Sequence, residues 1–189
     1  MQADGGAIYP VDLLAIAVLH RSTNLIRGFA MLVKQRNFIS AAPLLRLQID
    51  NCLRFYAVYL VKDPHEFAKN VFKGVHISKM TDKSGKSLTD SHLAKRLSEL
   101  HPWVKRVYER TSAYVHLSST HIFNTFAPTT PEKQKERIQK LVFGRGDCFP
   151  TDELYEEATE AFIAATDVLF KYLVGWVETK SSPPKASIR

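Results

Sequence analysis

The sequence predicts an all-α protein, an antiparallel bundle of about four long helices with short additional helices and one small β-hairpin insertion. Apolar residues recur at intervals of three and four over several long segments. Prolines and capping residues punctuate those segments, and the intervals between them are short enough to make neighbouring helices antiparallel. No internal repeat or heptad array competes with this reading.

Residues 11–36 read as one long helix with Leu13, Leu14, Ala17, Val18, Ile26, Phe29, Leu32 and Val33 as its apolar stripe. Ser40 reads as the N-cap of a second helix, with Pro43 in its first turn and an end near residue 61. Asp63-Pro64 starts a short third helix ending near residue 73. Residues 74–89 lack periodicity and read as a mobile basic loop, a candidate lid over a substrate. Within it Ser84-Gly85-Lys86-Ser87 imitates the end of a phosphate loop, but Met80 stands where the first glycine is required. Helices are expected at 91–100, capped by Thr89 or Asp90, and at 103–117. The alternation at 121–126, the breaks at Pro128 and Pro131 and the apolar run at 138–143 predict the hairpin. Thr151-Asp152-Glu153 opens a last helix to about residue 179, its acids well placed for the helix dipole. One domain over 1–180 and a disordered tail over 181–189 are expected.

The chain of 189 residues, 45% hydrophobic, can bury one substantial core. Its longest apolar run, residues 13–19, is too short to cross a bilayer, and Asp4 and Asp12 stand where a signal peptide would carry bases. A soluble, cytoplasmic protein with no membrane association is the expectation. Cys52 and Cys148 have neither disulfide-framework nor metal spacing. The net charge of +7 is concentrated between residues 69 and 110, where ten bases face four acids, whereas residues 151–180 are acidic. Such a basic region suits a polyanion such as RNA, and it equally suits helix faces that are merely solvated.

Near the end of the helix at 103–117, Tyr108-Glu109-Arg110-Thr111-Ser112-Ala113-Tyr114-Val115-His116 sets an arginine and a histidine with five residues between them. An arginine binds phosphate, and a histidine transfers protons near neutral pH. Arg96 and His101 have a similar spacing, but Pro102 follows and marks a helix end. The Arg110/His116 segment resembles the HEPN superfamily of helical domains, whose hallmark is an arginine and a histidine separated by four to six residues. The residue after the arginine is usually Asn, Asp or His in that superfamily and is Thr111 here. Residues 41–50, Ala-Ala-Pro-Leu-Leu-Arg-Leu-Gln-Ile-Asp, resemble the arginine-and-acid helix of an uncharacterised bacterial HEPN-like family, and Tyr108, Ser112, Val115-His116 and Ser118 resemble the later Tyr, Ser, Val-His, Ser string of the same family.

The resemblance implies a metal-independent ribonuclease or an RNA-binding protein of phage defence or a toxin system, with a neutralising protein as partner and a homodimer forming a composite cleft. Arg110 and His116 would then be catalytic, and Thr111, Ser112, Tyr114, Arg46 and Asp50 would hold substrate. On an ideal helix Arg110 and His116 lie about 120° apart, so a flexible arginine, an irregular turn or a second chain must bring them to one phosphate. His20, Asn24 and Arg27 cluster on the first helix and are expected to complete a polar pocket with Arg46, Asp50 and Arg54. No cofactor and no obligatory metal is expected, because the histidines lack helix-spaced pairing and no zinc spacing occurs. The rival reading is a non-catalytic helical module that binds a protein or nucleotide, with Arg110 and His116 serving the fold.

Overall fold

The computed structural model describes residues 6–116, 118–123 and 150–181. Helix α1 spans Pro10–Lys34. Proline at its first position has the backbone angle the helix needs, and the Asp12 carboxylate accepts the Tyr9 N–H at 2.7 Å. The turn that follows puts Arg36 at φ 55°, a left-handed conformation uncommon outside glycine. Arg36 is held there by an ion pair with Asp152 at 2.6 Å and by the ring of Tyr155, 4.6 Å from its guanidinium.

Helix α2, Phe38–Leu60, is the spine of the bundle and packs on α1 and on α3, α4, α5 and α7 defined below. Its N-cap is Asn37, whose side chain accepts the Ser40 N–H at 3.2 Å, so the helix starts earlier than the Ser40-Pro43 pattern indicated and Pro43 falls inside it. Its sides are buried almost all round, by Leu45, Ile49, Leu53 and Phe55 among others. One polar network interrupts this core. Gln48, fully buried, donates to Ser22 Oγ at 2.7 Å and Thr166 Oγ1 at 3.0 Å, and accepts from Asn51 Nδ2 at 3.2 Å. Arg21 Nη1 donates to Asn51 Oδ1 at 2.5 Å and completes it.

Helix α3, Pro64–Phe72, starts at Asp63, whose carboxylate accepts the His65 and Glu66 N–H groups at 2.9 Å. Residues 74–89, expected as a mobile loop, are instead pinned around Asp82. That carboxylate is buried and accepts from the Ser84 hydroxyl at 2.6 Å, from the Ser84 and Lys86 N–H groups, and pairs with His92 Nε2 at 2.8 Å. A 3₁₀ turn at Ile77–Lys79, a bridge between Thr81 and Ser87 and the buried side chain of Leu88 tie the loop to the core. The polar composition that resembled disorder supplies the ligands of one carboxylate.

Helix α4 is Asp90–Ser98, capped by Thr89; α5 is Trp103–Val115; α6 is Ser119–Phe123; α7 is Asp152–Ser181. His121 to Phe123, where the hairpin was expected to begin, are helical, and residues 124–149, which held the rest of that expectation, lie outside the described residues. So does the tail from 182 onward. Among the described residues there is no strand and no helix long and apolar enough to cross a membrane. The result is an all-α bundle.

α7 runs antiparallel to α1, and a clasp closes its far end. Asp12 receives Trp176 Nε1 at 2.7 Å and Lys180 Nζ at 2.5 Å. Burial alone would raise the pKa of this carboxyl, but the bonds from Lys180, Trp176 and the Tyr9 N–H outweigh it and hold the group below its ordinary value.

Candidate functional site

α5 carries the Arg110/His116 motif and owes its position to Val104 and Thr111, which are buried. Thr111 lies inside because its hydroxyl is satisfied by its own helix, donating to the Val107 carbonyl at 2.7 Å. Ser112 does the same toward the Tyr108 carbonyl at 2.8 Å. α5 ends as the backbone of His116 becomes extended, at φ −113° and ψ 148°, and leaves the imidazole exposed.

Arg110 turns toward α7 and pairs with Glu157 at 2.5 Å, each side chain about half exposed. No hydrogen bond or ion pair joins it to His116 among the described residues. Tyr114 packs its ring edge-on against Phe38 at 5.5 Å and against His121 at 6.1 Å between centroids. Beside Arg110 and Tyr114 is a cavity of about 70 Å³ also lined by Phe38, Leu45 and Glu157, far below the volume that encloses a nucleotide.

The other charged residues meet α5 from α2. Arg46 forms an ion pair with Asp50 one turn along its own helix, and its guanidinium lies 3.8 Å from the centre of the Tyr108 ring. Both members of the pair are largely buried. Ser112 follows Tyr108 by one turn on the same face of α5, and His116 comes after the last helical residue, where the backbone is already extended. Arg54, the third member of the α2 ridge, reaches Asp90 at the start of α4 at 2.5 Å. The fold thus gathers Arg46, Asp50 and Tyr108, and sets Arg110 on a different side of the same helix, toward Glu157.

No family model, curated protein or solved structure matches this chain.

His20, Asn24 and Arg27 do not join this group. α1 packs on α2, α3 and α7, whereas α5 packs on α2, α4 and α6. The three side chains are exposed, and Asn24 bonds back to the His20 carbonyl at 2.9 Å. The helical spacing that grouped them was real, but that face of α1 turns to solvent.

Two contacts of the site were not foreseen. Glu157 was one acid among several on the last helix, and no local pattern marks it as the partner of a residue so distant in sequence. His121 accepts the Ser118 N–H at 3.3 Å and braces the turn after α5, whereas alternation had assigned it to a strand. α5 carries two further bases: Lys105 meets Glu109 at 3.9 Å, and Arg106 is exposed with no ion pair among the described residues.

Proposed function

We propose that the chain is a HEPN-like domain that binds RNA along α5 and cleaves it without a metal. The observation that carries this reading is the exposed His116 at the end of α5, the helix whose Tyr108 stacks on the largely buried Arg46–Asp50 pair. That pair anchors α5 at Tyr108, and the imidazole stands exposed where α5 stops. Lys105 and Arg106 supply positive potential nearby, as phosphate backbones require.

In the proposed reaction the ribose 2′-hydroxyl attacks the adjacent phosphorus, the bond to the 5′-oxygen breaks, and a 2′,3′-cyclic phosphate and a 5′-hydroxyl result. His116 takes the proton of the attacking hydroxyl, and the conjugate acid or water protonates the leaving oxygen. Arg110 stabilises the charge that grows on the phosphoryl oxygens. Its contact with Glu157 is half exposed, and surface pairs contribute only about 0–1 kcal/mol, so a phosphate can displace it. The RNA-free chain then holds Arg110 in an exchangeable pair.

A second reading is favoured by the same contacts. The hydroxyls of Thr111 and Ser112 are engaged by carbonyls of their own helix, and Arg110 by Glu157, which suits a non-catalytic helical module. Incubating the chain and its His116→Ala variant with labelled RNA in chelator separates the two. Cyclic-phosphate ends from wild type alone support cleavage. Salt-sensitive binding without cleavage supports the module, and neither binding nor cleavage removes RNA from both readings.

A further inference from the structure

Exposed residues of one face of α1 and of α7 fall at alternating intervals of three and four, the spacing of a helix-packing seam, and all but Thr23 and Asp167 among them are apolar. On α1 they include Ile16, Leu19 and Ile26, and on α7 Ile163, Phe170 and Val174. Val174 and Ile163 are more than half exposed, at 53% and 56%. Between the two helices run hollows of about 400 and 450 Å³, and no residue of α5 lines either. A monomer rarely presents so much apolar surface on one face.

The antiparallel contacts of α1 with α7 fix which residues lie level. Asp12 meets Trp176, Phe29 stacks on Phe162 at 4.1 Å between centroids, and Gln48 bridges Ser22 to Thr166. Leu19 is therefore level with Phe170, Ile16 with Val174 and Ile26 with Ile163. Thr23 is level with Asp167, so the polar interruption of one stripe matches that of the other. At the acidic end of α7, Glu156 and Glu160 are level with Lys34 and Arg27. None of these four charges forms an ion pair within the chain among the described residues.

We propose that this face binds a second copy of the chain, with the two-fold axis parallel to the helices. That axis sets α1 of one protomer against α7 of its partner at equal height. Apolar rungs then meet apolar rungs, Thr23 meets the partner's Asp167, and Lys34 and Arg27 meet the partner's Glu156 and Glu160. A two-fold axis across the helices instead faces the acidic end of α7 with its own apolar end, stranding charge on apolar surface. The two-helix faces complete a four-helix bundle between copies.

Sedimentation equilibrium of the full chain tests this assignment. Wild type is expected to be a dimer at low micromolar concentration and Val174→Glu a monomer with unchanged helical circular dichroism. The double variants Glu156→Lys/Glu160→Lys and Arg27→Glu/Lys34→Glu should each weaken self-association at least tenfold at low salt, and combining all four in one chain should restore it. A wild-type monomer at tens of micromolar, a dimer indifferent to Val174→Glu, or a fourfold variant no tighter than the double variants would each overturn it.

Discussion

The guanidinium of Arg46 lies 3.8 Å from the centre of the Tyr108 ring while the same group pairs with Asp50. One side chain thereby joins α2 to α5 through stacking and charge together. Removing it leaves Asp50 largely buried without its partner. Arg46→Ala should cost about 2 kcal/mol. Arg46→Lys keeps the charge but not the planar stack and should recover only part of the loss. In urea titrations the Arg46→Ala/Asp50→Ala double variant should lose clearly less than the two single losses added together, because the second change removes the stranded carboxylate. Strict additivity would mean that the pair contributes nothing to the α2–α5 junction.

Gln48 holds three helices through polar contacts inside an apolar core. Gln48→Met conserves volume and removes the donors to Ser22 and Thr166 and the acceptor for Asn51. Buried partners lose their hydrogen bonds, so a cost of about 2 to 4 kcal/mol is expected. Thermal or urea unfolding measures it, and a loss below about 0.5 kcal/mol would show that water or a rearranged Asn51 replaces the glutamine.

The helical class and most helix positions were legible because period and caps are local properties. The orientation of helix faces was not. The apolar stripe read on the first helix included Leu13, Ala17 and Ile26, yet these are exposed, while Val11, Ser22 and Leu25 face the core. α1 carries more apolar surface than one core face needs, and a sequence does not say which stripe turns inward. The candidate site divides along the same line. Arg46 and Asp50, one turn apart, were legible as a pair, but the stacking on Tyr108 and the pairing of Arg110 with Glu157 join residues far apart in sequence. Asp82 shows the converse: a segment without periodicity is ordered by hydrogen bonds to one carboxylate, which hydrophobic patterning cannot register.

Asp82 makes stability fall in acid. The Ser84 hydroxyl, against the opposing effect of burial, and then His92 and the Lys86 and Ser84 N–H groups hold its pKa well below the carboxylate range. The folded state therefore favours the ionised form. Its contribution is complete above the unfolded value of about 3.9 and is lost as pH falls from there toward the lower folded value. Asp82→Asn should be less stable than wild type at pH 6, with the gap narrowing as pH drops below about 4. Urea midpoints measured between these limits test the sign, and a constant gap would remove Asp82 from the acid response.

Cys52 offers a direct reading of how firmly the α2–α7 junction is closed. Its thiol is 2% exposed and donates to the Ala165 carbonyl at 2.9 Å. Burial, against weaker opposing hydrogen bonds, pushes its pKa up to about 12, so the thiol stays protonated and the reactive thiolate is disfavoured. In a Cys148→Ser variant, Cys52 is the one remaining thiol of the chain. A disulfide reagent should leave it unmodified in the folded protein and modify it fully in denaturant. Labelling under native conditions should accelerate in Gln48→Met, which loosens the same junction, if access requires opening of the bundle. Complete labelling of the folded Cys148→Ser chain within minutes would show that α7 leaves α2 readily, contrary to the packing that buries Ala165 and Leu169.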